Sequence, residues 1–121
     1  MPRYVDGYVL PIPKKNLATY KKLAKFGGKL WKKHGALAYM EAVGDDVTPK
    51  AMQGITFFPA LVKAKKGETI VFAFVVYRSR AHRDQVNKKV MTDPAMAQMG
   101  HAMPFDMKRM TFGGFKAIVD A

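Results

Sequence analysis

Apolar positions along the chain fall into two periods. Over Tyr4–Pro13 they follow the period of two that marks a strand: Tyr4, Asp6, Tyr8 and Leu10 share one face, Val5, Gly7 and Val9 the other. Residues 14–34 switch to the helical period. Lys14, Lys15, Lys21, Lys22, Lys25, Lys29, Lys32 and Lys33 fall within an arc of roughly 120° at about 100° per residue. The opposite arc carries Leu17, Tyr20, Leu23, Ala24, Phe26, Gly27, Leu30 and Trp31. This is an amphipathic helix with a cationic outer face, and its apolar side must cover something, here a sheet. Lys32, Lys33 and His34 suit its C-terminal end, with Gly35 as the residue just past it. Gly27-Gly28 inside the helix marks a bend or a close approach to the sheet.

Ala36–Val43 reads as a second strand and 45–49 as a turn. Residues 55–62 are too apolar for a free loop and read as an irregular edge strand, with Pro59 preventing regular pairing. Glu68–Tyr77 is the clearest strand. Ile70, Phe72, Phe74 and Val76 form one face, and Val71, Ala73, Val75 and Tyr77 the other. Ser79 is placed to cap a helix over 80–92. Asp93-Pro94 opens a short helix ending at Gly100. Lys108–Val119 is the last strand, with Gly113-Gly114 predicting a bulge. The order strand, helix, strand, strand, helix, strand is the ferredoxin-like split βαβ arrangement of an α+β protein, an antiparallel sheet with helices on one face. Both faces of the 68–77 strand are apolar. Helices cover one, and a second copy of the same sheet is the simplest cover for the other, so a homodimer is expected.

At 121 residues the chain is long enough for one domain with a sizeable core, and one domain over 1–121 is expected. There are no cysteines, which excludes disulfides, thiolate metal sites and a cysteine nucleophile and fits a reducing cytosol. The unbroken apolar run Ile70–Tyr77 is far short of the ~20 residues that span a bilayer, so no membrane partner is expected. The start Met1-Pro2-Arg3 leads directly into a strand pattern and shows no signal-peptide pattern, consistent with a cytoplasmic protein. The net charge of +12 comes largely from the first helix, where no acid occurs between Asp6 and Glu41. Such a face raises nucleic acid as a partner, through Lys22, Lys25 and Lys29. Nucleic-acid surfaces interleave aromatics with positive charge, however, and here Tyr20, Phe26 and Trp31 point away from the lysines. A solvated helix face explains the same residues.

No phosphate loop, zincin helix or nucleophile elbow is present. His34, His82 and His101 are far apart and lack ligand spacing, so no metal and no cofactor is expected. His82 is expected to face solvent. The nine methionines suit core and interface packing. Polar residues at apolar positions are more suggestive. Arg83 and Asn87 stand one turn apart near the sheet-facing arc of Val86 and Val90, Asp6 is mid-strand, and Asp106 and Arg109 open the last strand. If they converge, Arg83, Asn87 and Arg109 would bind a compact anionic or carbonyl-bearing ligand, with Asp6 or Asp106 accepting a proton. Alternatively, Asp106 caps the turn after Pro104 and Arg109 pairs with it or with Asp6.

Tyr4-Val5-Asp6-Gly7, Asp45-Asp46-Val47, Met91-Thr92-Asp93-Pro94 and the run Met103 to Met110 followed by Gly113-Gly114-Phe115 resemble the YbaA-like family of small bacterial proteins. The resemblance covers nearly the whole chain and implies the dimeric α/β-barrel superfamily, in which two ferredoxin-like sheets face each other. It implies no mechanism, because superfamily members include cofactor-free enzymes and small-molecule-binding modules alike. Two functions follow as expectations. One is a homodimer binding a small molecule between helices and sheet, where a cofactor-free reaction could occur. The other is a non-enzymatic module gripping RNA or another polyanion with its lysine face.

Overall fold

The computed structural model describes residues 2–100 and 103–121. Four strands form one antiparallel sheet: β1 (Tyr4–Pro13), β2 (Ala38–Val43), β3 (Glu68–Tyr77) and β4 (Thr111–Lys116), in the order β2-β3-β1-β4. The two long, most apolar strands occupy the centre, where both neighbours satisfy their backbone groups. The helices α1 (Leu17–Lys33) and α3 (Arg80–Met91) follow β1 and β3 and pack on the same face, as the βαββαβ order requires.

That covered face holds most of the core. Leu30 of α1 and Val86 and Val90 of α3 meet Val75 and Tyr77 of β3. Leu10, Ile12 and Val71 continue the packing toward the start of α1. All eight lysines of the 14–33 segment are exposed, and the predicted apolar arc is buried or half-buried. Gly35, at φ +113°, ends the helix in a conformation that side-chain-bearing residues avoid. Ser79 caps α3 by accepting from the His82 N–H at 3.1 Å.

Three expectations are corrected. Residues 55–62 are not a strand: Pro59 sits in the first turn of a short helix, α2 (Phe58–Leu61), where its missing N–H costs nothing. This segment folds over the uncovered side of the sheet and buries Val62 against Val9 and Ile70. Gly113 and Gly114 form no bulge but pair in register with Gly7 and Asp6. Gly114 is needed for space, because a Cβ there would overlap the Tyr4 ring. Finally, residues 107–109 are a 3-10 turn, and the last strand begins only at Thr111.

The rest of the second sheet face stays open: Met40 and Phe115 are 55% and 62% exposed, and Phe72, which meets the Phe58 ring of α2 edge-on, is still 45% exposed. Among the described residues, no helix is long and apolar enough to cross a membrane.

Candidate functional site

The register builds a hollow on the helix-covered face. Ala73 lies opposite Tyr8 on β1 and Glu41 on β2, so one rung reads Tyr8, Ala73, Glu41. At about 4.8 Å per strand, the two outer Cα atoms stand roughly 10 Å apart with only a methyl group between them. Above, α1 presents Tyr20, Ala24, Gly27 and Trp31. Gly27 and Gly28 explain how Tyr39 fits: a Cβ on either would lie 3.1 Å from its side chain. The result is a cavity of about 160 Å³, lined also by Met99, Met103, Phe105 and Met110. A cavity of about 150 Å³ holds a benzene ring.

Its wall is aromatic and thioether surface with one ionisable acid. Glu41 accepts hydrogen bonds from the Tyr20 hydroxyl on one oxygen and from the Tyr39 hydroxyl on the other, the latter at 2.5 Å. Burial first, and then the bond to this carboxylate, push both phenols far above their ordinary range. They therefore remain neutral donors at any physiological pH. A carboxylate offers about four acceptor positions, so two tyrosines leave it capacity for a ligand donor. Tyr8 faces it across Ala73. Its hydroxyl has no partner among the described residues and is pushed up to about 12 by burial and by the negative charges of Asp6 and Glu41.

Tyr20, Ala24, Tyr39 and Glu41 also line a second, larger space. This groove of about 630 Å³ runs between α1 and the edge strand β2, with Leu17, Val43 and Val71 as apolar surface and Lys21, Lys25 and Lys29 along the helix side. The tyrosine–glutamate contact is thus the partition between an inner cavity and an outer groove.

The residues singled out in the sequence form two clusters rather than one. Asp6 is fully buried and takes one hydrogen bond from Arg83 Nη1 at 2.8 Å, leaving Oδ2 with none. Burial raises its pKa, against the pull of Arg83 and the weaker pull of Asn87. Asn87 Oδ1 accepts from Trp31 Nε1 at 3.1 Å and from the Tyr77 hydroxyl at 3.3 Å, tying α3 to α1 and the sheet. The Arg83 guanidinium stacks 5.0 Å from the Tyr4 ring. Asp106 and Arg109 lie elsewhere. Arg109 forms a two-pronged pair with Glu68, both bonds 2.7 Å, and also bonds Asp106 and the Lys63 carbonyl. Asp106 caps its turn through the Lys108 N–H. Glu68 and the Asp6 partner Val75 stand at opposite ends of β3, roughly 23 Å apart. No single cleft joins all five residues.

The histidines differ as well. His34 ends α1 and meets Asp93 at 2.7 Å. His82 is buried, not solvent-facing: its Nδ1 accepts the Arg78 N–H at 2.9 Å, and burial lowers its pKa. His101 lies outside the described residues. Among those described, no group of acids and histidines is placed to hold a metal ion.

Glu41 was not singled out from the sequence, although a signal was there. In the second strand it shares its face with Tyr39 and Val43, an acid among inward-facing apolar positions. It also ends the long acid-free stretch begun after Asp6.

The sheet order and the helices on one face, with an aromatic-walled cavity beneath the first of them, define an α+β, ferredoxin-like protein. Residues 3–107 match DUF1428, described as a protein of unknown function, and the chain belongs to that family. It is 40% identical over 118 residues to the uncharacterized protein YbaA of Escherichia coli K12, covering 98% of each chain. The same values hold for its counterpart in Shigella flexneri. Among solved structures it resembles a dimeric ferredoxin-like protein from an uncultured marine organism, with a TM-score of 0.50 and 11% identity over the full length of both chains. At that identity the likeness concerns the fold.

Proposed function

We propose that this protein is a homodimer that binds a small ring-bearing molecule in the cavity under α1, with Glu41 accepting a hydrogen bond from it. The observation that carries the reading is the Glu41 carboxylate, held by two neutral tyrosine donors on the wall of an otherwise apolar cavity of single-ring size. This half-buried carboxylate borders two open spaces. Pockets of this composition orient a ligand through few polar groups.

Dimerisation is supported by the open sheet face. Met40, Phe72 and Phe115 present large apolar side chains in one patch, and such surfaces mark association sites. Sheet-on-sheet contact would bury them at about 10 Å spacing. The dimeric state of the marine ferredoxin-like protein adds weight.

Native mass spectrometry of protein purified gently from its own host tests both parts. The expected species has twice the protomer mass of 13.5 kDa and carries a stoichiometric adduct that is lost in Glu41→Gln. A monomer would contradict the dimer. An adduct retained in Glu41→Gln would contradict the site.

A further inference from the structure

The outer groove has a property the inner cavity lacks, a cationic lip. Lys21, Lys25 and Lys29 recur every fourth residue along it. None of the three forms an ion pair among the described residues. Like charges at this spacing weaken a helix, so the row opposes folding of its own element unless an anion lies against it. The surface below the row is apolar, with Leu17 from α1 and Val43 and Val71 from the sheet, and Glu41 lines it as well. Positive charge at the rim and negative charge at the partition give the groove a direction.

We infer that this groove takes an amphipathic anion, a small molecule whose carboxylate, sulfonate or phosphate lies on Lys21, Lys25 and Lys29 while its apolar body runs inward to the partition. The inference rests on the small-molecule reading above and extends it by naming the ligand class. The two spaces share Tyr20, Ala24, Tyr39 and Glu41 as lining, so an occupant of the groove reaches the far side of the same carboxylate. A groove of about 630 Å³ lies within the range that holds ligands of drug-like size. A long polyanion fits less well, because the aromatic surfaces beside these lysines face the sheet and not the solvent, leaving no stacking platform for bases.

The test uses two fluorescent probes that differ only in charge: anilinonaphthalene sulfonate and its uncharged parent, phenylnaphthylamine. The intact protein should bind the sulfonate roughly tenfold more tightly, the sum of three exposed pairings. The combined variant Lys21→Gln, Lys25→Gln, Lys29→Gln should lose that preference and still bind phenylnaphthylamine. A second variant, Lys14→Gln, Lys15→Gln, Lys22→Gln, removes the same net charge outside the groove and should keep the preference. Equal losses in both variants, with displacement of the sulfonate by a short single-stranded RNA, would overturn the inference in favour of a polyanion. Tight binding of phenylnaphthylamine with no preference for the sulfonate would overturn the ligand class alone. Failure of both probes to bind would overturn the inference together with the small-molecule reading of the groove.

Discussion

Two acids stand on the helix-covered face of the sheet, Asp6 on β1 and Glu41 on β2, and their surroundings are opposite. Asp6 is sealed from solvent, faces a permanent cation in Arg83 and lines neither cavity. Glu41 is held by two neutral phenols and lines both. The cation balances the charge through one oxygen, and no cavity reaches the other, so Asp6 belongs to the framework. Phenols orient a charge without cancelling it, so Glu41 remains available to a third party. A carboxylate on this face is informative less for its burial than for the open space beside it.

The largest expected effect tests the Asp6 side. Arg83→Met leaves an unpaired charge in the core and should lower stability in urea denaturation by about 3–5 kcal/mol. The double variant Asp6→Leu, Arg83→Met should recover most of that loss. A single variant as stable as the parent would remove Asp6 from the framework. On the other side, Glu41→Gln keeps the shape and weakens two charge-assisted bonds. It should cost about 1–2 kcal/mol by the same measurement while abolishing ligand binding. A stability loss as large as that of Arg83→Met would place Glu41 in the framework too.

The third prediction concerns pH. The two-pronged pair with Arg109 holds Glu68 at about 2, below its ordinary 4.5. A depressed carboxyl stabilises the fold fully above its unfolded value, and that contribution drains as pH falls from about 4.5 through about 2. Asp6, raised by burial, acts in the reverse sense: its charge opposes folding above its folded pKa, and protonation relieves this on the way down. Glu68→Gln should therefore flatten the acid limb of the stability curve, measured by thermal melts across that window. An unchanged limb would contradict the pairing.

The smallest effect on stability is expected at Gly28. Alanine there gains roughly 1 kcal/mol of helix propensity, but its Cβ would press on the Tyr39 ring at 3.1 Å. Stability should change little, and ligand affinity should fall as Tyr39 shifts away from Glu41. Unchanged affinity would show that Tyr39 need not sit where Gly27 and Gly28 allow it.

How much of this was legible in the sequence depends on the range of the interaction. The central strands, both long helices and the lysine face were readable, because period and charge are local. So was the apolar second face of Glu68–Tyr77. The 55–62 segment was not, since Pro59 reads equally as a breaker of pairing or as an opener of a helix, and only the contact of Val62 with Val9 and Ile70 decides. Asp6, Arg83 and Asn87, three of the five residues expected to converge, do lie together. Asp106 and Arg109 were not separable from them, because their distance is set by strand register. Glu41 escaped for the same reason: its role depends on Ala73 lying opposite, on Tyr20 descending from α1 and on two glycines that admit Tyr39.

The most direct test is a carbon-13 methyl spectrum of methionine-labelled protein titrated with phenol, a single ring with one donor hydroxyl. Met99, Met103 and Met110 line the inner cavity, while Met52 and Met91 are exposed outside it and serve as internal controls. Phenol seated against Glu41 should shift the three cavity methyls in a saturable manner, leave the two controls in place and do neither in Glu41→Gln. Cavity methyls that stay still, or that move equally in Glu41→Gln, would contradict the assignment of this cavity as the ligand site.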